Sequence, residues 1–70
     1  MSELLHVVPP ITIHGMVVLA IMNEGAGRGA KYQFETDSSG WKPTTKEFYN
    51  AVVQTAMESG SSLEPAFFGR

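Results

Sequence analysis

Arg28, Lys31, Lys42 and Lys46 fall within residues 28–46 with only Glu35 and Asp37 beside them, so that window carries +2 in a chain whose net charge is −2. Lysine and arginine clustered in this way suit phosphate oxygens, which position a protein on a duplex without reading its sequence. Lys46, Asn50 and Gln54 recur at one-turn spacing, and an Asn or Gln amide can make paired hydrogen bonds to adenine in the major groove. Asn50 is the first candidate for such a contact. Thr44 heads the same segment, where the free amides and dipole of a helix N-terminus attract anions. Together these seven side chains point to duplex DNA. A solvated helix face accounts for the same pattern, and Glu47 and Glu58 on that face favour it.

Other constellations point away from catalysis. Gly25, Gly27 and Gly29 precede Lys31, but the spacing has neither the Gly-Lys-Ser/Thr of a P-loop nor the offsets of a dinucleotide fingerprint, so a connector is expected. His6 and His14 stand eight residues apart with no thiol or clustered carboxylate, which leaves no metal site. Glu35 and Asp37 read as a polar loop edge. Ser38, Ser39, Ser59, Ser61 and Ser62 sit in turn-like context, where hydroxyls cap backbone rather than attack substrates. No enzyme and no cofactor are expected.

Both ends of the chain are apolar. Leu4, Leu5, Val7 and Val8 at one end and Leu63, Phe67 and Phe68 at the other need cover, either from each other as a two-stranded sheet or from a second protein surface. The first of these arrangements leaves room for the second.

The elements that must carry these residues are set by length and pattern. Seventy residues of 7.6 kDa, 43% apolar, allow one small domain with a stability of only ~4–10 kcal/mol. With no cysteine there is no disulfide framework. The longest apolar run, seven residues at 16–22, is far short of a membrane span, and no basic-then-apolar leader opens the chain, so a cytoplasmic protein without membrane contact is expected. Residues 1–10 read as an arm closed by Pro9-Pro10. Residues 11–24 are almost wholly apolar; their length favours a helix, with Thr12 as cap and Gly25 as stop, over a strand. Residues 30–36 fit a two-turn helix or an edge strand alike, and Asp37-Ser38-Ser39-Gly40 ends them.

Residues 44–59 give the clearest signal. Thr44-Thr45-Lys46-Glu47 has capping-box spacing, and Phe48, Tyr49, Val52, Val53, Ala56 and Met57 follow the rule of an amphipathic helix that Gly60 stops. Residues 61–70 read as a short edge strand or docking tail.

A capped, amphipathic third element after two shorter ones describes a helix-turn-helix. Residues 17–60 resemble the winged-helix domain of PadR-type transcriptional regulators. The likeness lies in the stop Asn23-Glu24-Gly25, in Gly29-Ala30-Lys31-Tyr32 with one residue inserted, in Trp41-Lys42-Pro43-Thr44 with Tyr49, and in the close at Glu58-Ser59-Gly60. It implies a mainly α, three-helix domain with a small β element. Only ten residues follow Gly60, so its wing is truncated, and the family's C-terminal dimerisation helices are missing. The resemblance implies a DNA-binding regulator whose recognition helix begins at Thr44. Four basic groups per chain neutralise few phosphates, so a homodimer is expected. Two rivals remain open. One is a protein-interaction module, of the kind small phage or plasmid proteins use to dock on a host protein, that depends on Phe67 and Phe68. The other is an αββα-like layout in which residues 11–22 and 32–36 are strands and only one substantial helix is left.

Overall fold

The computed structural model describes residues 2–25 and 29–65. Five strands and one helix follow in order: β1 (Ser2–Ile13), β2 (Met16–Glu24), β3 (Lys31–Thr36), β4 (Gly40–Thr44), α1 (Lys46–Glu58) and β5 (Ser62–Pro65). The strands form one antiparallel sheet in the order β4-β3-β2-β1-β5. Strands β1 to β4 are a meander, and α1 carries the chain back across the sheet so that β5 pairs with β1.

The mainly α winged-helix class is therefore overturned. Residues 11–24 are not one helix but the end of β1, a turn and β2. Ile13 pairs with Met16, and the two residues between them, His14 at φ 53° and Gly15 at φ 76°, make a tight hairpin loop. Two positive φ values match the right-handed twist of paired strands, and glycine takes the second at no steric cost. Length misleads here because the apolar stretch is two strands separated by a two-residue turn. Val17, Val18 and Ile21, unfavourable in a helix, are well suited to a pleated sheet. Residues 31–36 likewise form a strand, an inner one between β2 and β4 and not the edge strand expected, and among the described residues no helix-turn-helix forms. The rival layout with strands over 11–22 and 32–36 is nearer, with one helix remaining, although its strand count is too low.

Two irregularities bend the sheet. The β1–β2 register shifts between His6 and Ile11, where the strand passes through Pro9 and Pro10, and the β2–β3 register shifts between Val18 and Ala20. The shift at Leu19 reverses the alternation along β2. It puts Val18 and Ile21, three apart, on the same side.

The helix begins one residue later than the capping-box spacing predicts. Thr45, not Thr44, is the N-cap: its hydroxyl accepts the amide of Phe48 at 3.2 Å. Glu47 is then the second helical residue, not the third that a capping box requires. The stop at Gly60 is as expected. Gly60, at φ 81°, donates to the Met57 carbonyl at 3.3 Å, and Ser61 donates to that of Ala56 at 2.8 Å. This pair of bonds closes a helix through a left-handed residue. Tyr49, Val52 and Ala56 are buried, with Phe48 and Val53 partly so, while Met57 lies 70% exposed instead of on the apolar face.

Candidate interaction surface

Alternation along the strands divides the sheet into two faces. Val7, Ile11, Val18, Ile21 and Phe34 pack with Tyr49, Val52 and Ala56 of α1 as the core. The aromatic rings interlock there: Phe34 with Phe48 at 4.8 Å and Tyr32 with Tyr49 at 5.1 Å between centroids. Burial raises the pKa of the Tyr49 hydroxyl above its ordinary 10.0, and the nearby Glu3 carboxylate and Tyr32 add to the rise.

Among the described residues, no helix lies over the opposite face. Its rows follow from the register: Trp41, Glu35, Ala20, His6 and Glu64 run across the five strands, with Pro43, Gln33, Met22 and Leu4 beside them. Ala20 is fully enclosed and Leu4 nearly so, but Val17, Leu19 and Met22 are only half-buried. Trp41 and Val8 are 38% and 45% exposed. Glu24 and Lys31 pair across β2 and β3 at one margin.

The strands at the two margins of the sheet are poor templates for a further strand. β4 has five residues including Lys42 and Pro43, and β5 has four including Glu64 and Pro65. Short length, charge and proline are the features that block edge-to-edge pairing. The outward side of α1 is also unsuited to apolar contact, because Glu47, Asn50, Gln54 and Glu58 line a shallow groove along it with Ala51 and Thr55.

The residues expected to meet DNA are scattered by this fold. Lys46, Asn50 and Gln54 are exposed on α1, as their spacing predicts, but among the described residues no second helix stands beside them. Lys31 is exposed on the uncovered face. Lys42 pairs with Phe34 on the α1 side, at a cleft of about 260 Å³ shared with Gly15, Thr36 and Asp37. Thr44 is half-buried opposite Tyr32. Arg28 lies outside the described residues. Lys31, Lys42 and Lys46 are accompanied by seven carboxylates in the described part of the chain: Glu3, Glu24, Glu35, Asp37, Glu47, Glu58 and Glu64.

The apolar termini pair with each other through residues 5–8 of β1 and 62–65 of β5. Leu4 and Val7 are buried within the chain, and Leu5 and Leu63 pack against the core, so these four offer little free surface. Phe67 and Phe68 lie outside the described residues. His6 is exposed on the uncovered face and His14 packs on Phe48 at 5.7 Å, on different sides of the sheet. Among the described residues no three His, Asp or Glu side chains gather as metal ligands, and no helix is long and apolar enough to cross a membrane.

The uncovered face was missed in the sequence because residues 16–22 read as helix. Read as a strand, an unbroken apolar run is the mark of a strand covered on both faces. Comparison with known proteins adds no likeness: no family model, no curated protein and no solved structure matches the chain.

Proposed function

We propose that this chain is a protein-interaction module and that its contact surface is the sheet face opposite α1. The observation that carries this reading is β2 itself. Met16–Glu24 is apolar on both sides as far as Met22, yet α1 covers one side only. Val17, Leu19 and Met22 on the other side form an apolar strip along β2, with Trp41 on the marginal β4 beyond Gln33 and Glu35 and with Glu24 and Lys31 at one end, a mixed apolar and polar surface of the kind interfaces use. Trp41 is the natural anchor, since tryptophan is enriched among the residues that dominate binding energy.

Duplex DNA is the weaker reading. Among the described residues, three lysines on separate surfaces beside seven carboxylates do not make the continuous positive stripe that phosphate binding needs. A photocrosslinking residue placed at position 41, and separately at position 54, tests the choice in cells expressing the chain. Protein adducts from position 41 and none from position 54 are expected. Adducts from position 54 alone, or crosslinks to DNA, would overturn the reading.

A further inference from the structure

We propose that the partner of this face is a second copy of the chain, laid face to face about a two-fold axis that runs along β2. The inference rests on the reading above and adds the occupant. Three observations carry it.

The first is symmetry. β2 is the middle strand of five, so a two-fold axis passing over it lays the whole face on its own image. A contact of this kind is isologous, each patch meeting its own copy, and it closes as a dimer.

The second is charge. Trp41, Glu35, Ala20, His6 and Glu64 lie in one row across β4, β3, β2, β1 and β5. An axis at right angles to the strands would set each member of this row on itself, Glu35 on Glu35 and Glu64 on Glu64, and like charges across a contact are costly. An axis along β2 instead sets β3 over the partner's β1. Glu35 then meets the His6 imidazole of the other copy, whose N–H can donate to a carboxylate in either protonation state. Glu64 meets Trp41; Glu24, at the exposed end of β2, meets its own copy, and the Lys31 of each chain falls diagonally beside that pair and offsets it. The face complements itself in one of the two orientations.

The third is area. Five strands about 4.8 Å apart and roughly six residues long at about 3.3 Å each give a face of roughly 480 Å² in projection. Two such faces bury roughly 1,000 Å², the lower limit for a specific contact. The dimer is therefore weak and concentration-dependent, and it uses the whole face.

Sedimentation of the purified full chain across a range from micromolar to millimolar measures it. A monomer–dimer equilibrium is expected, weakened at least ten-fold by Trp41→Ser with the circular dichroism spectrum unchanged. His6→Glu is expected to weaken it as well, by facing two carboxylates, and adding Glu35→Lys to that variant restores it. The restoration separates a face-to-face dimer from loss of folding. A chain that stays monomeric at millimolar concentration, or a dimer indifferent to Trp41→Ser and His6→Glu, would overturn the proposal. If position 41 nevertheless crosslinks to a different protein in cells, the interaction reading stands and only the second copy is lost; if it crosslinks to nothing, both fail.

Discussion

Tyr49 shows how one side chain links the core to solution conditions. Its ring packs against Tyr32 and is buried under α1, and burial comes first among the causes that raise its hydroxyl pKa above 10.0, ahead of Glu3 and Tyr32. In the unfolded chain a tyrosine loses its proton near pH 10. The folded chain holds the proton to higher pH, so between the two values the native state binds more protons than the unfolded one and stability falls as pH rises. The contribution is complete below about pH 10 and declines above it. Urea unfolding at about pH 9 and about pH 11 is expected to show a lower midpoint at the higher pH, with a smaller drop for Tyr49→Phe. A midpoint that rises with pH would contradict this placement of the hydroxyl. At this scale the sequence is partly legible: Tyr49, Val52 and Ala56 are inward as their spacing predicts, and Asn50 and Gln54 are outward. His14 and Gly15 were not legible as a turn, because an apolar stretch long enough for a helix hid a two-residue loop.

Among the elements, α1 was readable and the hairpin before it was not, for a physical reason. The periodicity of α1 separates an apolar side from a polar one, whereas a strand that is apolar on both sides has no period to distinguish it from a buried helix. Its start was displaced by one residue, since Thr44 and Thr45 are equivalent in type and only geometry chooses between them. The hydroxyl of Thr45 takes the Phe48 amide, while Thr44 still belongs to β4, paired with Tyr32. Thr45→Ala is therefore expected to cost about 1 kcal/mol in unfolding free energy. Thr44→Ala leaves the cap in place. Thermal or urea unfolding of the two variants decides it, and an equal or larger loss at Thr44 would contradict the observed helix start.

For the molecule as a whole, the proposed contact surface is what the described elements leave uncovered. A thirteen-residue helix about 20 Å long covers one side of a five-stranded sheet, and both marginal strands are short and carry proline. The positive window at 28–46 is linear in sequence but not in space: Lys31 and Lys42 belong to opposite faces of the sheet, and Lys46 starts α1. That is why a charge count along the chain suggests a phosphate contact that these lysines are not gathered in space to make. Of the residues that resemble PadR-type regulators, Asn23-Glu24 end β2, Lys31-Tyr32 begin β3 and Trp41 to Thr44 lie in β4, so the motif is spread over strands.

The most direct test is a map of backbone amide chemical shifts recorded as duplex DNA is added at low ionic strength and, separately, as the protein is concentrated. DNA is expected to leave Lys46, Asn50 and Gln54 unmoved, and concentration to shift Ala20, Met22, Glu35 and Trp41 together. Saturable DNA-induced shifts on α1, with the sheet face silent at every concentration, would contradict it.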